Sequence, residues 1–250
     1  MKIIALIPAR FGSSRFPGKP LALIAGQPLI QRVYEQARQV KDLDGLYVAT
    51  DDERIFACVE SCGGRALMTR PDHPSGSDRL AEAARLLGLA PEDIVVNIQG
   101  DQPLFPVDLI GQLAAPLKQD PEAVMVTPAR KLTDPEIAAN PNVVKVVFDR
   151  RHQALYFSRS PLPCWRDAVE APYFYRHLGL YAYRVGFLQE FVHLPPGRWE
   201  EAEKLEQLRA LEHGFPIHIV ETIGDTLEVD TPEDLARAEA YFQNRQGSKM

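Results

Sequence analysis

KIIALIPARFGSSRFPGKPL, residues Lys2 to Leu21, opens with an apolar run from Ile3 to Ile7 that is the right length for one buried strand. A loop rich in Gly, Ser and Pro follows and carries three cations, Arg10, Arg15 and Lys19. No Asp or Glu precedes Glu35, although the 250-residue chain has a net charge of −6. A loop of this kind at the end of a buried strand can turn backbone N–H groups inward and surround them with positive charge, which suits a polyphosphate. An ordinary strand-to-helix loop with solvated cations would look the same if the loop stood alone.

The loop is not a Walker-type P-loop. Five residues separate Gly12 from Gly18 where that motif has four, and Lys19 is followed by Pro20, which has no hydroxyl to offer a metal. The apolar fraction of 45% and charged fraction of 25% are those of a globular protein. The acidic balance argues against a general nucleic-acid binder, so an anion must be met by a local cluster. Pro8 and Arg10 end the first apolar run too early for a secretory signal, and no apolar stretch reaches transmembrane length. The three cysteines, Cys58, Cys62 and Cys164, form no disulfide framework, and Cys58 and Cys62 read as half-buried thiols on one helix rather than metal ligands. A reduced, cytoplasmic protein is expected.

Outward from the opening strand, the first half alternates strand and helix. A helix begins after Pro28 with Leu29, Ile30, Val33, Ala37 and Val40 on its buried face. Strands are expected at Leu46–Ala49, Ala66–Thr69, Ile94–Ile98 and Ala123–Thr127, with helices between them near Glu53, Asp78–Leu87 and Val107–Lys118. This rhythm predicts an α/β fold, a three-layer sandwich whose mostly parallel sheet carries helices on both faces. Ligands in such sheets sit at the carboxyl ends of the strands. The polar clusters fall there: residues 8–20, Thr50-Asp51, Thr69-Arg70 and Asp101. The second half reads as a smaller mixed β region: Pro128, Pro135 and Pro141 in a loop, a hairpin through Val143–Phe148 and Ala154–Phe157, a strand at Leu178–Tyr183, a helix over Glu201–His213, a strand at Ile217–Val220 and a closing helix over Pro232–Phe242.

Asp101 follows a buried strand, so its carboxylate points to the ligand end of the sheet. Asp230, in EVDTPEDL, reads on its own as a helix start, and becomes a possible metal partner of Asp101 only if the fold brings the two together. Arg159 ends an aromatic-rich strand and is a natural bidentate partner for a carboxylate. His177, Gly179 and Tyr181 fall on one face of a strand, since side chains alternate with period two. Arg, His and Tyr together suit a polyhydroxy acid, and equally a solvated sheet edge. Glu206 and Gln207 lie between inward leucines, with Arg209 placed to pair with Glu206.

The segments IPARFGSSRFPGKPL, VATDDERI, SGSDRLAE, VNIQGDQPL, NPNVVKVVFD, ALYFSR, RHLGLYAY, EKLEQLRALE and EVDTPEDL occur in the order and spacing of the 3-deoxy-manno-octulosonate (KDO) cytidylyltransferases, and the chain resembles that family over about residues 2–240. The resemblance implies a nucleotide-diphosphosugar-transferase fold, a homodimer, and transfer of CMP from CTP to the anomeric hydroxyl of a KDO-type sugar, with release of pyrophosphate, for lipopolysaccharide core synthesis. It implies one domain over residues 1–246, with an inserted dimerisation and sugar-binding region at about 128–200 and a disordered tail at 247–250. Arg10 and Lys19 would hold the triphosphate with Ser13 and Ser14 nearby, and Ser75 and Gln99 the rest of the nucleotide. Asp101 and Asp230 would bind Mg²⁺. Arg159, His177, Tyr181, Glu206 and Gln207 would line the sugar site. Arg10, Lys19 and Asp101 would be the catalytic set. PLPCWRD around Cys164, and Trp199 where the family often has Leu, depart from the pattern. The same reaction on the 8-amino sugar or another acid sugar is an alternative, as is a nucleotide sensor that has kept the pocket without the chemistry.

Overall fold

In the computed structural model, residues 1–12, 16–167 and 172–247 are described. The opening run becomes β1 (Ile3–Ala9), buried on both faces. Chain order then gives a small ribbon, β2 (Leu23–Ile24) and β3 (Gln27–Pro28), followed by α1 (Leu29–Ala37), β4 (Gly45–Thr50), α2 (Glu53–Ser61), β5 (Ala66–Met68), α3 (Gly76–Leu86), β6 (Ile94–Asn97) and α4 (Val107–Gln119). The second half contributes β7 (Met125–Leu132), α5 (Pro135–Ala139), β8 (Lys145–Phe148), β9 (Ala154–Ser158), β10 (Phe174–His177) and β11 (Tyr181–Arg184). It closes with α6 (Val185–Phe191), α7 (Arg198–Glu203), α8 (Gln207–Glu212), β12 (Ile217–Thr222) and α9 (Pro232–Gly247).

One sheet runs in the order β5-β4-β1-β6-β11-β7-β10-β8-β9, and β12 lies along β7. β5, β4, β1 and β6 are mutually parallel. From β11 onward the pairing is mixed. Alternate side chains of β1 enter different cores. Ile3, Ala5 and Ile7 pack with Leu29, Ile30 and Val33 of α1 and with Leu109 and Leu113 of α4. Ile4 and Leu6 pack with Leu80 and Ala84 of α3 and with Leu188 and Phe191 of α6. The expected three-layer α/β sandwich follows from that two-faced burial.

β4 lies on one side of β1 and β6 on the other, so the winding reverses at β1 and opens a crevice at its carboxyl end. Gly100 lets the chain after β6 close on that crevice: a Cβ there would lie 2.6 Å from the Pro8 carbonyl oxygen.

Four local expectations need correction. The strand expected at Leu178–Tyr183 starts only at Tyr181, and His177 belongs to β10. Gly179 between them has φ +68°, so strand alternation does not put His177, Gly179 and Tyr181 on one face. The helix expected over Glu201–His213 is broken into α7 and α8 by Lys204, at φ +53°. Pro128 is not in a loop but inside β7, at the point where β11 stops pairing and β10 takes over, so the ladder loses little from its missing N–H. The closing helix continues past Phe242 to Gly247. Residues 248–250 of the expected tail, and Ser13 and Ser14 of the opening loop, lie outside the described residues.

Candidate active site

The crevice is a cleft of about 260 Å³ at the carboxyl ends of β1, β5 and β6, lined by Arg10, Lys19, Ser75, Gln99, Asp101 and Asp230 among others. Six residues expected at a nucleotide or metal thus reach one cleft from four separate segments. The Gly18 N–H donates to the Phe11 carbonyl, 3.0 Å, which closes the loop and delivers Lys19 at the start of a single 3₁₀ turn. Ser75 is the N-cap of α3: its hydroxyl accepts from the Asp78 N–H and donates to the Asp78 carboxylate, 2.7 Å. Gln99 donates to the Gly179 carbonyl, 3.0 Å, and ties β6 to the turn before β11.

Lys19 is the centre of the cleft's charge. Its Nζ donates to Asp101 Oδ2 at 2.7 Å and to Asp230 Oδ1 at 3.1 Å. Burial works against the ammonium, but the charges and hydrogen bonds of Asp101 and Asp230 outweigh it and raise the Lys19 pKa. Asp230 arrives there because the Val229 N–H bonds the Asp101 carbonyl, 2.9 Å, next to a bridge between Leu104 and Leu227. The capping explanation for Asp230 does not hold. Thr231 Oγ1 receives the Asp234 N–H and Asp234 Oδ2 receives the Thr231 N–H, so those two residues cap α9 and the Asp230 carboxylate turns to Lys19. One ammonium reaches both carboxylates, so one small hard cation could span them. Among the described residues no group of three or more His, Cys, Asp or Glu is placed to hold a metal.

Sequence reasoning missed part of this wall. Arg79, 3% exposed, donates from Nη2 to Asp51 at 2.9 Å and from Nη1 to Thr69 at 2.5 Å. His73 is paired through Nε2 with Glu82, which also accepts the Arg70 N–H at 2.9 Å. Arg79 and His73 both line the cleft. Asp51 at the end of β4 was a visible signal; its partner Arg79, on α3, was not.

The residues expected at a sugar divide into two places. Beside the first turn of α3, Glu206 accepts from the Ser77 hydroxyl at 2.7 Å, and Gln207 is buried next to it. His177 lies 5.4 Å from the Tyr181 ring, and Tyr181 stacks on Tyr183 at 5.7 Å. Burial raises the Glu206 carboxyl pKa and lowers that of His177 to about 3, with the Arg176 charge adding to the fall. The Thr127 hydroxyl donates to the Leu180 carbonyl at 2.7 Å, which assigns the 2.8 Å contact to His177 as Nε2–H donating to Thr127. Glu206 meets Arg209 only at 3.8 Å, while Arg209 is engaged by Glu200 at 2.5 Å. Glu206 Oε1, Gln207 Nε2 and Asn97 Oδ1 are buried with no hydrogen-bond partner. Each such atom costs about 1–3 kcal/mol. Three are heavy against a whole-fold stability of roughly 5–15 kcal/mol.

Arg159 is elsewhere. It lines a second cleft that shares Asp230 with the first, and its guanidinium donates to the carbonyls of Glu203 (2.6 Å), Pro141 (3.0 Å) and Lys204 (3.4 Å).

A family model described as cytidylyltransferase matches residues 4–223. A protein of Syntrophobacter fumaroxidans named 3-deoxy-manno-octulosonate cytidylyltransferase is 57% identical over 239 residues, covering 94% of each chain. One of Shewanella sp. (strain W3-18-1), named 8-amino-3,8-dideoxy-manno-octulosonate cytidylyltransferase, is 53% identical over 96% of this chain and 98% of its own. The solved structure of CMP:2-keto-3-deoxy-manno-octonic acid synthetase complexed with CTP superimposes with a TM-score of 0.92 at 42% identity, covering 98% of this chain and 100% of that one.

Proposed function

The chain belongs to the cytidylyltransferase family, and from that premise we propose that it transfers CMP from CTP to the anomeric hydroxyl of KDO, releasing pyrophosphate, in lipopolysaccharide core synthesis. It is a nucleotidyltransferase. The observation that carries the reading is Lys19 held between Asp101 and Asp230 in the cleft where the β-sheet reverses its winding.

In the reaction the sugar oxygen attacks the α-phosphorus in line, the bond from that phosphorus to the bridging oxygen breaks, and the hydroxyl proton is lost. Charge grows on the phosphoryl oxygens and on the leaving pyrophosphate, so positioned cations do most of the work. Lys19, kept protonated by its two carboxylates, and Arg10 supply that charge from the chain. Ser75 and Gln99 orient the nucleotide. Asp101 and Asp230 fit Mg²⁺, whose shell takes one or two carboxylates beside phosphate oxygens, and when bound it adds positive charge along the triphosphate. Tyr181, His177, Glu206 and Gln207 meet the sugar hydroxyls, and Arg159 its carboxylate. Ser13 and Ser14 would flank the phosphates.

We further propose a homodimer in the cytoplasm. Ile137, Leu155, Trp165, Tyr173 and Trp199 are exposed large apolar residues within the 128–200 region, and such exposure suits cover by a second copy. Among the described residues no helix is long and apolar enough to cross a membrane.

The test is pyrophosphate release from CTP across a panel of acid sugars including KDO and its 8-amino analogue, with sedimentation of the same sample. Turnover with KDO supports the reading, and faster turnover with the 8-amino sugar replaces its substrate. CTP binding with no pyrophosphate from any acid sugar would leave a nucleotide sensor.

A further inference from the structure

Lys145, at the start of β8, is 0% exposed, and among the described residues it forms no ion pair. Its ammonium has three protons, and three backbone carbonyls receive them: Val143 at 2.5 Å, Arg159 at 2.5 Å and Asn140 at 3.2 Å. Burial pushes its pKa down, Glu203 pulls the other way, and the nearby Arg159 charge adds to the fall. A buried cation with no carboxylate in direct contact is an expensive way to fill space, and a methionine would occupy similar volume without the desolvation cost. What the ammonium does that an apolar chain cannot is hold three carbonyls from two segments at one point.

Those segments form one wall of the second cleft. Asn140 and Val143 bracket the loop after α5, and Arg159 directly follows β9. The same Arg159 reaches across the loop to the Pro141 carbonyl and to the carbonyls of Glu203 and Lys204 at the end of α7. Its N–H meets Glu203 Oε2 at 2.9 Å, and Ser158 donates to Glu203 Oε1 at 2.7 Å. The backbone on both sides of the Arg159 side chain is therefore tied down, and Lys145 provides the tie from beneath.

We infer that Lys145 is a positioning residue for the sugar half of the site, acting through Arg159 by fixing the Arg159 carbonyl and the 140–143 loop against each other. This rests on the reading of Arg159 as partner of the sugar carboxylate. A cation on a four-carbon stem suits the task because its donors can spread tetrahedrally over carbonyls that share no plane.

The test is a double-mutant cycle in the full chain, with Lys145→Met, Arg159→Ala and the pair, reading KM separately for CTP and for KDO and the CTP dissociation constant by calorimetry. Lys145→Met is expected to raise the KDO KM by about tenfold or more and to leave CTP binding within about twofold. In the double mutant the KDO KM should stay within about threefold of Arg159→Ala alone, because a residue acting through Arg159 has little left to act on. An unchanged KDO KM in Lys145→Met, or effects that multiply in the double mutant, overturns the inference while leaving the Arg159 reading in place. An unchanged KDO KM in Arg159→Ala overturns that reading and the inference with it. Lys145→Gln, which keeps two N–H donors, replaces the methionine variant if that does not bind CTP. If neither variant binds CTP, Lys145 holds the fold at large and the inference is wrong.

Discussion

The cleft at β1 and the buried polar cluster around Glu206 are built in opposite ways. The first gathers full charges, partly exposed, with each partner of Lys19 supplied from the far end of a different segment. The second is buried: a neutral His177, tyrosine and carboxyl pKa values raised by desolvation, and polar atoms with no hydrogen-bond partner. The difference follows from the ligands proposed for them. A triphosphate carries charge that grows during reaction and must be met by charge. A sugar offers hydroxyls, which reward buried, directional and neutral partners.

If that contrast is right, neutralising one charge in the first region should damage turnover far more than removing one dipole in the second. Asp101→Asn should lower kcat by about 10³-fold or more with the fold intact, since it removes one of the two carboxylates facing Lys19. Asp230→Asn should behave similarly with little change in Tm, because Thr231 and Asp234 cap α9. A fall in Tm with turnover kept would return Asp230 to a capping role.

Next in size, Glu206→Ala should raise the KM for sugar by roughly 10–100-fold, the scale of about 1.4–3 kcal/mol for a buried polar contact, and leave that for CTP nearly unchanged. Equal loss of both substrates would erase the boundary between the two regions.

A smaller effect tests the neutrality of the second region. His177 is held neutral in the folded state, with a pKa near 3 against about 6.5 when unfolded. Below about pH 6.5 the unfolded chain binds the extra proton and the folded one does not. This histidine's contribution is therefore complete above that pH and is lost as pH falls towards 3, by up to about 1.4 kcal/mol per pH unit. Denaturant titrations from pH 7 to 4 should show a shallower fall for His177→Gln than for the parent chain. Identical slopes would mean His177 already titrates near its ordinary value.

The smallest change expected is none. Cys58, Cys62 and Cys164 are free thiols, and no step of the transfer uses one. Changing each to Ser should leave kcat within about twofold. A loss of chemistry with CTP and sugar still bound would place a thiol in one of the two regions and undo the division between them.

Much of the first region was legible in the chain. The run Ile3–Ile7 is apolar at every position, as a short strand buried on both faces requires, and that made β1 central. Parallel strands share a carboxyl end, so the loop with Arg10 and Lys19 and the carboxylate of Asp101 could be assigned to one place from local signals, while Ser75 and Gln99 came from the family resemblance. The second region was harder to read. His177 and Tyr181 do come together, but through the Gly179 turn and not by strand alternation, and Glu206 sits at a helix start that Lys204 creates by entering the left-handed region. Neither break has a periodic signature.

Local pattern by itself determined the strands and helices of the first half, which strand is central, and where charge collects, because burial on two faces and helical amphipathicity are written in neighbouring residues. Tertiary structure alone decided the partnerships. Asp230 lies 211 residues from Lys19 and meets the same ammonium as Asp101 only because Val229 pairs with the loop after β6. Arg79 finds Asp51, and Lys145 finds the Arg159 carbonyl, through packing of the same kind. The physical reason is that a charge or a buried donor is satisfied by whatever the packed elements bring within about 3 Å, and separation along the chain carries no record of that distance.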